Sequence, residues 1–181
     1  EYGAPITEYS IASNASIQAR NNPIVNFVDE LEDALIFNNI FSQYSVKTVS
    51  NNFPINYIST INVVNSAPIY VLLNLVNSES HNFTSEVIFR HSLNDWSHQF
   101  PNLKYSNWLK DQNFDSNQFV FDDASGLSRK NKVTTYGLSQ FLRRMKYHRY
   151  SDYYFSSFSI LGVRGSLSSV DSPERLKGKI L

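Results

Sequence analysis

Two short runs hold side chains whose types and spacing can do chemistry. One is Asp123-Ala-Ser-Gly-Leu-Ser-Arg-Lys-Asn131. It follows the apolar triplet Phe119-Val120-Phe121 and precedes Thr134-Thr135 and a helical pattern. That order predicts one buried strand, a tight polar turn, then a helix start. Gly126 lies mid-turn, where a positive φ or a close backbone approach is expected. A turn of small residues ending in Arg129, on the rim of a sheet, is a candidate ligand site. The plain alternative is a connecting loop capped by Asp and Ser. The other run is Ser80-His81-Asn82. A Ser hydroxyl both donates and accepts a hydrogen bond, and an Asn amide does so with a fixed shape. The plain alternatives are a helix N-cap at Ser80 or Asn82, and an Asn-x-Ser/Thr glycosylation sequon at Asn82.

These runs must be positioned by the elements around them. Pro23 suits a helix start. Ile24, Phe27, Val28, Leu31 and Leu35 recur at i, i+3, i+4 and i+7, which predicts an amphipathic helix to about Asn39, buried on one face. Its acidic residues, Asp29, Glu30, Glu32 and Asp33, read as a solvated face. Phe41 to Val49 and Tyr57 to Val64 are β-like. Ser66-Ala67-Pro68 predicts a helix opening with Ser as cap and Pro in the first turn. Ile69 to Val76 is apolar nearly all round, so that helix is expected to be central. Phe83, Val87 and Ile88 mark the helix after Ser80. Glu86 and Arg90 sit i, i+4 on it. Leu103, Tyr105, Trp108 and Leu109 suggest a short amphipathic helix. Thr135 is a candidate cap for a helix with Leu138, Phe141, Leu142 and Met145 on one face. Arg143, Arg144, Lys146 and Arg149 match the dipole at its C-terminal end. Tyr153 to Phe158 is one more short helix.

The 181 residues amount to about one domain, with 41% hydrophobic and 14% aromatic residues, enough for a core. Sixteen basic and sixteen acidic residues cancel, so no footprint for nucleic acid or an anionic membrane exists. The chain has no cysteine, which removes disulfides and thiolate metal sites. His81, His91, His98 and His148 show no paired ligand spacing, so no metal site and no cofactor is expected. No apolar run reaches the roughly 18 residues a membrane span needs. Trp96 and Trp108 could stack on a sugar, with core or rim packing as the plainer role. Glu1 opens the chain, and Gly178-Lys179-Ile180-Leu181 reads like a strand just beginning. Both ends therefore predict a piece cut from a longer protein.

Asp-Ala-Ser-Gly-Leu-Ser-Arg-x-Asn resembles the Asp-Gly-Ser-Gly-Leu-Ser-Arg-x-Asn signature of the D-alanyl-D-alanine carboxypeptidase/endopeptidase family, the low-molecular-mass class C penicillin-binding proteins (peptidase family S13). Ala124 replaces the usual Gly. Ser80-x-Asn82 resembles the second of three motifs in penicillin-recognising enzymes. Its surroundings match too: Ala67-Pro68-Ile69 before it, Asn82-Phe83-x-x-Glu86 and Arg90 after it. Leu161-Gly162-Val163-Arg164-Gly165-Ser166-Leu167 resembles the family's Leu-x-Gly-x-x-Gly-Thr/Ser-Leu turn. The first motif, Ser-x-x-Lys, is missing: no lysine here has a Ser three residues before it. The chain also stops about where Lys-Thr-Gly should follow.

The resemblance covers residues from about 23 to 181. It implies an α+β fold, a partial penicillin-recognising (beta-lactamase/transpeptidase-like) domain with an antiparallel sheet flanked by helices. Residues 1–22 would be the tail of an upstream or inserted segment, and 23–181 the incomplete domain. It implies a serine-type peptidase cleaving D-alanyl-D-alanine ends or cross-links of peptidoglycan through an acyl-enzyme, outside the cytoplasm. Ser80 and Asn82 would be catalytic, in proton transfer and orientation. Arg129 would bind an acidic group of the stem peptide, while Asp123, Ser125 and Gly126 shape the loop. Beta-lactams would inhibit the intact protein, and the piece alone would be inactive. The alternative is a non-catalytic peptidoglycan-binding module on the same fold.

Overall fold

The computed structural model describes residues 6–7, 9–10, 22–40, 65–97 and 99–181. The chain forms two compact units, one of residues 1–5 and 9–67, the other of 6–8 and 68–181. The β-like runs 41–49 and 57–64, and most of residues 1–22, lie outside the described residues, as does His98.

In the first unit, helix α1 spans Pro23–Phe37. Asn22 Oδ1 accepts the Ile24 and Val25 N–H groups at 3.0 and 3.4 Å, and Pro23 fills the first helical position, where no N–H is missed. Asn39, at φ 58°, ends the helix. The expected apolar stripe is only partly covered. Ile24, Val28 and Leu35 are half-buried, and Phe27 and Leu31 are exposed.

The second unit holds α2 (Ile69–Asn77), α3 (Asn82–Leu93), α4 (Asn102–Asp111), α5 (Thr135–Lys146) and α6 (Ser151–Ser156). Strands β1 (Phe119–Val120) and β2 (Lys132–Val133) pair antiparallel, Phe119 opposite Val133 and Val120 opposite Lys132. This helix-rich α+β unit therefore has one small sheet among its described residues. The predicted strand at Phe119 exists but is not buried: Val120 is exposed, because each strand of the hairpin is only two residues long. The second strand was not expected. Lys132-Val133 carries no strand pattern, and its pairing is a tertiary effect of closing the 121–131 connection.

The core is aromatic. Leu109 and Phe83 are buried. Phe89 stacks on Phe100 at 4.8 Å, and Tyr105 meets Phe121 edge-on at 5.3 Å. Phe114, Phe141 and Tyr154 continue the cluster across α5 to α6. Trp108 stacks on Tyr105, and Trp96 lies against His91, so the two tryptophans form no shared platform.

Several local expectations change. α2 packs against α3 and α6 but has no buried residue, and Ile69, Tyr70 and Val71 are exposed. An all-round apolar helix needs neighbours on every side to be central, and α2 lacks them among the described residues. Pro68 stands at its N-cap, and the Ser66 hydroxyl donates to the Ala67 carbonyl instead of capping. α3 is capped by His81, whose Nδ1 accepts the Thr84 N–H at 3.3 Å, and not by Ser80 or Asn82. Thr134, not Thr135, caps α5, its Oγ1 accepting the Gly137 N–H at 3.0 Å.

Candidate functional site

The connection from α2 to α3 carries Ser80. Its anchor is Ser78, fully buried at the end of α2. The Ser78 carbonyl accepts the Ser166 N–H and the Ser159 hydroxyl, both at 2.8 Å. The Ser159 and Ser166 hydroxyls lie 3.0 Å apart, and Asn77 Nδ2 donates to Ser157 Oγ at 2.7 Å. A Cβ at Gly165 would stand 2.4 Å from the Ser78 oxygen, so only glycine permits this approach. The chain after Ser78 is thus pinned by the 157–166 segment. It reaches α3 through Ser80 at φ 57°, a left-handed conformation that a non-glycine residue adopts at a cost. Ser80 is exposed, and Asn82 is the half-buried first residue of α3.

The second run is a loop closed by the β1–β2 hairpin. Asp123 is its internal hub. Its carboxylate accepts the Gly126 N–H at 2.8 Å, the Ser128 N–H at 2.6 Å and Asn131 Nδ2 at 2.7 Å. Asn131 Oδ1 accepts the Asp122 and Asp123 N–H groups in return. Burial raises the Asp123 pKa, but these hydrogen bonds outweigh it and hold the carboxyl below its ordinary value. Gly126 has φ 81°, the positive value expected from its place in the turn.

The two runs are joined by Glu86, a buried residue on α3. Its Oε1 accepts the Ala124 N–H at 2.7 Å and the Ser125 N–H at 3.1 Å. Ser85 Oγ donates to the Ala124 carbonyl at 2.6 Å. Glu86 Oε2 pairs with Arg90 Nε at 3.6 Å, and Arg90 Nη1 donates to the Ser97 carbonyl. Asn82 and Glu86 are four residues apart on one helix, about 6 Å along its axis. The loop is therefore docked one turn from Asn82. The sequence marked Glu86 and Arg90 as a helix-surface pair. The clamp on the loop was not legible, because the amides that donate to it lie 38 and 39 residues away.

The loop's open backbone donors are few. Between Asp123 and Asn131, only the Leu127 and Arg129 N–H groups have no partner among the described residues. The Arg129 side chain is exposed and likewise unpaired there, whereas Lys130 pairs with Asp122 at 3.6 Å. The loop thus presents one unneutralised guanidinium beside two open amides, a donor set suited to an anion.

A cavity of about 320 Å³ lies under the loop, with Phe89, Phe100, Tyr105 and Phe121 as apolar walls. Asp123, Ser125 and Gly126 line it, and Ser80, Asn82 and Arg129 do not. A larger cavity, about 570 Å³, lies between α5 and the 113–119 turn and includes none of these six residues. Among the described residues no cluster of His, Asp and Glu is placed to hold a metal ion, and no helix is long and apolar enough to cross a membrane.

No curated protein and no solved structure matches the chain. The family model of D-Ala-D-Ala carboxypeptidase 3 (S13) matches residues 10–180, a span that includes the Ser80 connection, the Glu86 clamp and the Arg129 loop. The chain belongs to this peptidase family.

Proposed function

We propose that the chain is part of a serine-type D-Ala-D-Ala carboxypeptidase/endopeptidase acting on peptidoglycan outside the cytoplasm, on a penicillin-recognising fold. The observation that carries this reading is the Glu86 clamp, which docks the Arg129 loop one helical turn from Asn82. The nucleophile would be the Ser of a Ser-x-x-Lys motif, which the 181 residues do not supply. Its oxygen attacks the carbonyl of the penultimate D-Ala, and backbone amides stabilise the oxyanion. The Ser80 hydroxyl passes a proton to the leaving nitrogen, and the C–N bond breaks as the acyl-enzyme forms. Asn82 orients the partners of that transfer. Water then hydrolyses the ester. Arg129 holds an anionic group of the stem peptide, and Asp123, Ser125 and Gly126 keep the loop in shape.

Acylation by a fluorescent penicillin tests this. The full-length protein becomes labelled, and Ser80→Ala slows labelling by about 10²–10⁴-fold, the range for a positioned proton transfer. The 181-residue chain alone stays unlabelled. Covalent label on that chain overturns the assignment of the nucleophile. A second reading is a non-catalytic peptidoglycan-binding module on the same fold. Stem-peptide binding by a full-length protein that no penicillin acylates would establish that reading instead.

A further inference from the structure

We infer that Glu86 is a positioning residue for substrate selection: its buried carboxylate sets where the Arg129 loop stands, and so whether an anionic stem peptide is held. This rests on the function proposed above. A buried carboxylate is costly unless its oxygens are satisfied. Here one oxygen takes two backbone amides of the loop, and the other faces Arg90, itself tied to the Ser97 carbonyl. Glu86 is thus fixed from behind and reaches forward to the loop. Ser85 adds a second tether from the same helix to the Ala124 carbonyl.

The loop's internal bonds do not replace this. Asp123 and Asn131 hold the loop's shape, but both belong to the loop and cannot set its place relative to α3. The tethers from α3 to the loop backbone run from Ser85 and Glu86. Freed from them, the loop keeps its turn and loses its position. The groups that depend on position are those facing outward, the Arg129 guanidinium and the open Leu127 and Arg129 amides. Ser80 and Asn82 sit on the other side of the clamp, at the start of α3, and Ser80 is held independently through Ser78. Loss of Glu86 therefore weakens recognition of the anion and leaves the Ser80 connection in place.

The test uses amide hydrogen exchange and peptide binding on Glu86→Ala, Glu86→Gln and Ser85→Ala. In Glu86→Ala the Ala124 and Ser125 amides exchange about 10- to 100-fold faster, the ratio for loss of a hydrogen bond to a charged group. The dissociation constant rises about tenfold for a D-Ala-D-Ala stem peptide with a free side-chain carboxylate, and less than about twofold for the same peptide amidated there. Glu86→Gln keeps an acceptor oxygen and restores both readouts most of the way. Wild-type exchange at Ala124 and Ser125 in Glu86→Ala, or equal weakening of both peptides, overturns the inference. If Glu86→Ala does not fold, Ser85→Ala decides: faster exchange at the loop with selective loss of the charged peptide supports the inference, and no change in either overturns it. A wild type that binds neither peptide refutes the proposed function, while the exchange data still decide the clamp.

Discussion

The Ser159 hydroxyl donates to the Ser78 carbonyl at 2.8 Å, across 81 residues of chain. This bond, with that of the Ser166 N–H, fastens the 159–166 segment to the connection that carries Ser80. Gly165→Ala places a methyl 2.4 Å from the same carbonyl, at a residue whose φ is +70°. We expect it to destabilise the chain by about 2–4 kcal/mol through overpacking and backbone strain. Ser159→Ala costs about 1 kcal/mol, because Ser166 still satisfies the Ser78 oxygen. Urea unfolding of the two variants measures both, and a Gly165→Ala as stable as wild type would show that this contact is wrong.

Ser80 holds a left-handed backbone on an exposed residue. Ser80→Gly removes that strain and raises stability by about 1 kcal/mol. It also removes the hydroxyl and lowers penicillin acylation of the full-length protein as Ser80→Ala does. Thermal unfolding beside acylation kinetics reads the opposed signs. A stability loss in Ser80→Gly would mean the side chain has a structural partner.

Acid weakens two carboxylates that anchor loops. Asp95 is pulled down to about 2, first by the Ser97 hydroxyl and N–H and then by Lys104. Asp123 is held below its ordinary value as described above. Unfolded carboxyls of this type titrate near about 3.9. The native state therefore binds fewer protons between these values, and stability rises with pH there. The contribution is complete above the unfolded pKa and is lost as pH falls toward about 2. Urea midpoints measured down through this range decline in wild type and decline less steeply in Asp95→Asn/Asp123→Asn. Equal slopes would remove these two groups from the account.

At the alkaline end, burial pushes the Tyr105 phenol up to about 12. Tyr105 meets Phe89, Phe100 and Phe121 edge-on, so ionising it would put a charge in that cluster. Its contribution to stability is complete below about 10 and is lost as pH rises toward about 12. The phenolate absorbance of Tyr105→Phe lacks a group titrating near about 12. If the variant loses a group titrating near 10 instead, Tyr105 is not buried as described.

The sequence by itself determined the features that depend on neighbours in the chain. Pro23 opening α1, the positive φ at Gly126, the turn after Phe119 and the basic end of α5 all follow from local sterics, capping and the helix dipole. The nine-residue run and Ser80-x-Asn82 also pointed to the peptidase family, since a motif is itself local. Only the tertiary structure decided which groups meet. Lys132-Val133 became a strand because Phe119-Val120 lay opposite it. His81 took the cap, its Nδ1 accepting the Thr84 N–H one residue after the left-handed Ser80. Glu86 became the link between the two runs because a carboxylate buried beside Arg90 had oxygen lone pairs to fill, and the Ala124 and Ser125 amides were brought within reach. Such pairings depend on separations of tens of residues, which propensity and periodicity do not encode.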